Sequence, residues 1–261
     1  MLDFHNHLIP GVDDGAATIS ESRAALKMMS DQGFRTIITT PHLSASSVTR
    51  GNTSEYLAKV DRGWEELLAL TTADFPGLRI ARGVELLLDV PMFEIVDQRL
   101  RLAGSQFVLV EFPWTGIPLN SAKTLFELKM NGYTPVIAHP ERYAAMDVQL
   151  RAAEEWVQSG AVLQVNAGSF LGQYGGRAQS LAWSIIGHGL ASYICSDYHA
   201  RGKCATRSAL RLLTQVGASE IALLLSDVNP NRLIENLLPV ETPPFRRKHR
   251  RWWEKLLRRR Y

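Results

Sequence analysis

The chain opens Met1-Leu-Asp-Phe-His-Asn-His-Leu-Ile-Pro-Gly-Val-Asp-Asp-Gly15. Leu2 to Leu8 reads as a strand, and because strand side chains alternate faces, His5 and His7 project to one side, two residues apart. An Asp- and Gly-rich turn follows, so the unit is a short apolar strand that ends in polar, ligand-type side chains. Further runs of this kind are Thr36 to Thr40, Arg79 to Leu86, Phe107 to Phe112, Thr134 to Ala138, Ala161 to Val165 and Ala191 to Cys195, each separated from the next by a longer stretch in helical spacing. The alternation predicts βα units around a parallel sheet of seven strands, and a chain of 261 residues can bury the core of one α/β barrel.

The intervening stretches carry helix signals. Ser20 to Gln32 places Ala24, Leu26, Met28 and Met29 at helical intervals, and Ser54 to Leu70 does the same with Tyr56, Leu57, Val60, Trp64, Leu67 and Leu68. Ser20 and Ser54 are the expected N-caps, and Gly33, Gly132 and Gly160 the expected C-cap glycines. Composition excludes several classes: 46% hydrophobic and 21% charged residues describe a globular chain, not a disordered or fibrous one. Cys195 and Cys204 are too few for a disulfide framework, no run approaches the ~18 apolar residues of a membrane span, and the polar amino terminus lacks a signal-peptide pattern. These features predict a cytoplasmic protein.

Ligand-type residues recur at the carboxyl ends of the other strands. His42 follows the second, Glu85 and Glu111 lie near the ends of the third and fourth, His139 follows the fifth, and Asp197 and His199 follow the seventh. That rim is where active-site groups converge in parallel α/β architectures. Of the seven histidines, His188 and His249 fall elsewhere and read as incidental. Asp13-Asp14-Gly15 alone would be a solvated turn, but beside the histidine pair Asp14 can fold back as another oxygen ligand. His5, His7, Asp14, His42, Glu85, Glu111, His139, Asp197 and His199 are too many ligands for one tetrahedral ion, which predicts two or three. Imidazole with carboxylate suits manganese, iron or zinc.

Taken in order, Asp3-x-His5-x-His7-x-x-Pro10-Gly11-x-Asp13-Asp14-Gly15, Thr40-Pro41-His42, Gly83-x-Glu85, Glu111-Phe-Pro113, Ala138-His139-Pro140-Glu141-Arg142 and Ser196-Asp197-x-His199 resemble the polymerase and histidinol phosphatase (PHP) superfamily. Within it they resemble the bacterial metal-dependent protein-tyrosine phosphatases of capsule and exopolysaccharide systems, the CpsB/YwqE type. The resemblance implies a distorted seven-stranded TIM-like β/α barrel (the PHP fold) with three divalent ions, usually Mn2+, at the carboxyl rim. It makes all nine residues metal ligands, with Glu85 bridging two ions and Asp197 and His199 in the catalytic machinery. A water shared between cations ionises near neutral pH and can attack phosphorus in line, without a phosphoenzyme. Arg142 is the expected catalytic clamp on the phosphate oxygens. The resemblance also implies a second phosphate-binding residue beyond the last motif, expected to be Arg201, with Lys203 and Arg207 competing for the role.

The implied substrate is a phosphotyrosyl protein, a membrane-anchored bacterial tyrosine autokinase. The alternatives are a PHP phosphoesterase acting on a small molecule such as histidinol phosphate, and a non-catalytic metal-binding module. Cys195-Ser-Asp-Tyr-His-Ala-Arg201 also meets the C-x5-R spacing of cysteine-dependent phosphatases, but it has no glycine and carries Asp197 inside the loop, so it reads as coincidence.

After Pro243-Pro244 the composition changes. Residues 244–261 carry a net charge of +8 and residues 1–243 a net of −5, so the overall +3 conceals an acidic body and a basic tail. This predicts a phosphatase domain over 1–243 and a separate tail over 244–261. Trp252 with Leu256 and Trp253 with Leu257 are helical pairs, and Phe245 lies one heptad before Trp252, the pattern of a basic amphipathic helix for an anionic membrane surface. The competing reading is a solvated tail with its Trp residues packed on the barrel. No motif for reading nucleic acid accompanies the charge, so no specific nucleic-acid partner is expected.

Overall fold

A computed structural model describes residues 1–49, 53–90, 97–114 and 116–246. Its strands in chain order are β1 (Leu2–Asp3), β2 (Thr36–Thr39), β3 (His42–Ser44), β4 (Arg79–Arg82), β5 (Glu85–Leu87), β6 (Phe107–Glu111), β7 (Thr134–Ala138), β8 (Val162–Asn166) and β9 (Ala191–Cys195). Every pairing is parallel, in the orders β1-β2-β4 and β3-β5-β6-β7-β8-β9. Of the two additional strands, β5 arises because the third expected strand breaks in two, and β3 lies beyond the expected end of the second at Thr40, where no strand was expected. Pro41, which has no N–H, separates β2 from β3. Gly83 interrupts the third, where a Cβ would lie 3.0 Å from Leu102 Cδ2 and 3.1 Å from Leu102 Cα. Pairing continues across both breaks: Gly83 N–H donates to Thr39 O at 2.9 Å and Glu85 N–H to Pro41 O at 3.0 Å.

The first expected strand, Leu2 to Leu8, keeps regular pairing only over Leu2–Asp3. Phe4 stacks edge-on against Tyr193 inside the ring of strands, and the next residue, His5, also turns inward to meet Gln164. Two consecutive inward side chains break the alternation that a strand requires. The segment rejoins the circuit by an isolated parallel bridge between Asn6 and Tyr198, flanked by Asp197 N–H to His5 O at 2.8 Å and His7 N–H to Tyr198 O at 2.9 Å. Among the described residues no continuous ladder closes the ring, and the architecture is a distorted β/α barrel whose first and last strands meet at that bridge.

Both faces of the central strands are buried. On β6, Val108 and Val110 join the outer core with Leu125, Trp156 and Ile185, while Phe107 and Leu109 join the inner core with Leu2, Phe4, Val136 and Tyr193. Continuing the inner-facing alternation places Glu111 above Leu109, so the apolar inner core fills the lower barrel and the ligand-type residues its upper rim. The first helix spans Ile19–Asp31, one residue earlier than expected. Thr18 is its N-cap in place of Ser20, accepting from Glu21 N–H, while Glu21 accepts from Ala17 N–H at 2.8 Å. Ser54 likewise lies inside its helix, Thr53–Asp74, and not at the cap. Gly33, Gly132 and Gly160 take the left-handed φ of helix-ending glycines, at 95°, 86° and 90°.

At the carboxyl end of the described chain, Thr242 Oγ1 donates to Ala191 O at 2.6 Å, and Phe245 packs on the outer core with its N–H on Gly187 O at 3.2 Å. The expected tail helix with Trp252, Trp253, Leu256 and Leu257, and His249, lie outside the described residues. No helix of the described residues is long and apolar enough to cross a membrane.

Candidate metal centre

The carboxyl rim brings all nine expected ligands together. His5, His7, Glu85 and Asp197 form one group whose donor atoms lie within 4.8 Å of one another, His7, Asp14, His42 and His199 a second, and His42, Glu85 and Glu111 a third. His139 joins them with Nε2 2.8 Å from Glu85 Oε1 and 3.9 Å from Glu111 Oε2. Glu85, His7 and His42 are each shared by two of these groups. His7 and His199 stack with ring centroids 4.0 Å apart. Two ligand-type residues hold backbone conformations that L side chains resist, His139 at φ 35° and Asp197 at φ 49°. Imidazole and carboxylate therefore arrive at fixed angles from strand ends, not from freely moving loops.

The donor set fits divalent ions. His5 Nδ1 bonds Gln164 Oε1 at 2.8 Å and His7 Nδ1 bonds Asp13 Oδ2 at 2.7 Å, which turns both Nε2 atoms into the cluster. Those buried Nε2 atoms and Glu85 Oε2 have no hydrogen-bond partner, an arrangement that buried polar groups avoid unless something else occupies their lone pairs. Electrostatics agree. Burial opposes charge on Glu85, yet His5, His139 and His42 hold its carboxyl well below the usual range. Burial likewise opposes charge on His42, but Glu111 and Glu85 push its pKa up to about 10. Such mutual dependence marks a site where cations replace protons on binding.

Arg142 closes one side. Its Nη1 hydrogen-bonds Asp197 Oδ2, whose same oxygen accepts from Asn166 Nδ2 at 2.9 Å. The simpler pairing with Glu141 does not form, because Glu141 is buried and accepts from Ser169 Oγ at 2.7 Å and Asn166 N–H at 2.9 Å. Arg201 reaches the rim, donating to Asp14 O at 2.5 Å. Arg207 instead donates to Asp31 O and Gln32 O, at the Met1 end of the barrel and away from the cluster. Cys195 is fully buried in β9 and burial pushes its thiol well up, so the C-x5-R spacing builds no nucleophile. His188 hydrogen-bonds Ser184 O on a helix outside the cluster.

Sequence reasoning passed over the residues that orient the ligands. Asp13 lies in the turn after the first strand, and it supports His7 and also accepts from the N–H groups of Gly15 and His42 at 3.0 and 3.1 Å. Gln164 and Asn166 carried a signal: they are alternate polar residues in the apolar strand Val162–Asn166, hence on the inner face.

The family model for capsular polysaccharide synthesis, CpsB/CapC, matches residues 1–235. The chain belongs to that family. Tyrosine-protein phosphatase YwqE of Bacillus subtilis is 29% identical over 96% of this chain and 98% of its own. CapC of Staphylococcus aureus is 32% identical over 77% of each chain, and tyrosine-protein phosphatase CpsB of Streptococcus pneumoniae 26% identical over 91% of this chain. Among solved structures, a chain from the crystal structures of YwqE and CpsB, described as unique metal-dependent tyrosine phosphatases, superposes with a TM-score of 0.76 at 28% identity, covering 94% of this chain and 98% of that one.

Proposed function

We propose that this protein is a metal-dependent protein-tyrosine phosphatase of a capsular or exopolysaccharide system. The observation that carries the reading is the convergence of nine nitrogen- and oxygen-donor residues on one rim with the Arg142 guanidinium at their edge. Divalent ions held there supply Lewis acidity and lower the pKa of coordinated water. His5, His7, Glu85 and Asp197 would hold one, Asp14, His42 and His199 another, and Glu85, Glu111 and His139 the third, with Mn2+ the first choice and Fe or Zn the others.

This chain's own residues complete the chemistry. Arg142, held by Asp197, presents guanidinium N–H groups where charge builds on the transferring phosphoryl oxygens. Arg201, bonded to the backbone of Asp14, is proposed to take a second phosphate oxygen. A phenolate leaves with a pKa near ~10 and needs less proton help than an alkoxide, which favours aryl phosphates chemically. The substrate is proposed to be a membrane-anchored tyrosine kinase met at the inner face of the cytoplasmic membrane, with residues 1–243 as the phosphatase unit and 244–261 as the surface-binding tail. Histidinol phosphate and a non-catalytic metal store are less favoured, since the relatives above are named tyrosine phosphatases.

Chelation followed by add-back of single metals tests the reading. Hydrolysis of a phosphotyrosyl peptide should vanish with chelator and return first with Mn2+. Turnover that survives exhaustive chelation, or that returns only toward histidinol phosphate, would sink it.

A further inference from the structure

Hydrolysing an aryl phosphate requires a seat for the ring as well as for the phosphate. Arg142 marks the phosphate end, and two aromatic side chains meet its guanidinium: the Tyr174 ring centroid lies 4.2 Å from Cζ and that of Trp114 5.8 Å. They differ in how they are held. The Tyr174 hydroxyl accepts from Asn166 Nδ2 at 3.2 Å, and that same nitrogen donates to Asp197, so Tyr174 is tied to the cluster. Trp114 sits three residues beyond Glu111 in the segment after β6, and is 57% exposed while its near neighbour Phe112 is 2% exposed and packs on Trp156. An indole this size held at the edge of a polar site leaves apolar area in water that a ligand can cover.

We propose that Trp114 is the wall against which the phenyl ring of the substrate packs when Arg142 engages its phosphate, with Tyr174 positioning the guanidinium, so that this face selects aryl over alkyl phosphates. The phosphate end and the ring end are then adjacent, as the one-bond link between phenolic oxygen and ring demands. An offset-stacked pair places centroids about 4.5–7 Å apart, and the 5.8 Å between Arg142 Cζ and the Trp114 ring sets guanidinium and indole side by side, as a phosphate and its phenyl ring would require. This inference rests on the phosphotyrosyl reading for its natural ligand, but the slot can be tested without turnover.

Dissociation constants of the metal-loaded protein for phenylphosphonate and methylphosphonate, measured by calorimetry, give the aryl preference directly. Trp114→Ala should contract that preference about ten-fold, the scale of one buried aromatic contact, and Trp114→Phe should restore most of it. A preference near unity in the unaltered protein, one that Trp114→Ala leaves intact, or one that Phe fails to restore would overturn the slot. Measuring phosphotyrosyl-peptide hydrolysis on the same samples separates the two readings. Lost hydrolysis with a retained aryl preference removes the phosphatase reading alone, and hydrolysis without the preference removes the slot alone.

Discussion

Gln164 and Asp13 illustrate how much of the site is set by side chains that touch no reacting group. Each fixes the tautomer and ring direction of one histidine, His5 and His7, so that the free nitrogen faces the cluster. Gln164→Leu should therefore weaken metal binding about 10- to 100-fold while the fold persists, as read by metal titration alongside circular dichroism. The pKa directions give a second expectation. Burial resists charge on Asp13, but His7 and the N–H groups of Gly15 and His42 bring its pKa down to about 2 from the ordinary 3.8. A depressed carboxyl contributes stability that is present above its unfolded pKa and lost as pH falls through the folded one. The melting temperature of the metal-free protein should accordingly fall as pH drops from 3.8 toward 2, and Asp13→Asn should flatten that limb. His42, raised to about 10, has the opposite sign: its contribution is complete below 6.5 and lost as pH rises toward 10. Because it carries a proton at neutral pH without metal, metal uptake should release protons, seen as a buffer-dependent heat of binding.

At the scale of elements, the turn from Leu8 to Ala16 is what delivers Asp13 and Asp14 to the rim. It folds back through Ala16 N–H to His7 O at 2.9 Å and Gly11 N–H to Ala16 O at 2.8 Å. Gly15 permits the approach, since a Cβ there would lie 2.1 Å from His7 O and 2.4 Å from His7 Cβ. That is backbone and near-backbone, which cannot swing aside. Gly15→Ala should push the turn off the first strand, lowering metal affinity and occupancy at the Asp14 group while the far side of the barrel is unaffected. An unchanged binding isotherm would contradict this. The broken strands belong to the same scale: the breaks at Pro41 and Gly83 precede His42 and Glu85 by one and two residues, so each interruption re-aims the rim residue that follows.

For the molecule as a whole, donors from seven chain segments converge on one cluster, and cations that bind it only in the folded state stabilise the fold by mass action. Metal at about 100 times its dissociation constant adds about 2.7 kcal/mol, which raises the melting temperature of a chain of this size by roughly 5–10 °C. The tail has a separate test. Because Phe245 packs on the barrel, the informative truncation ends at residue 246, beyond that contact. It should lower binding to anionic vesicles and leave hydrolysis of a small aryl phosphate unchanged, and unchanged vesicle binding would remove the membrane role.

What could be read along the chain was what depends on local pattern. Alternation located most of the strands and helices, though not the end of the first strand, β3 or the N-caps, and position at strand carboxyl ends singled out the ligand-type residues, because parallel β/α topology brings those ends to one rim. Thr18 displaced Ser20 as cap because its hydroxyl accepts from Glu21 N–H while the Glu21 carboxylate accepts from the preceding Ala17 N–H, a contest that composition does not reveal. The presence of Arg201 and not Arg207 at the rim, the pairing of Arg142 with Asp197 in place of Glu141, and the positions of Gln164, Asn166, Tyr174 and Trp114 belong to the tertiary structure. Each of these depends on distances between residues far apart in sequence, and the slip of alternation between Phe4 and His5 exists only because the barrel interior accepts both side chains. The sequence alone determined which residues could bind metal and on which rim; the packed barrel decided which of them meet, which neighbours aim them, and what surface surrounds them, because only packing converts a shared face into a distance.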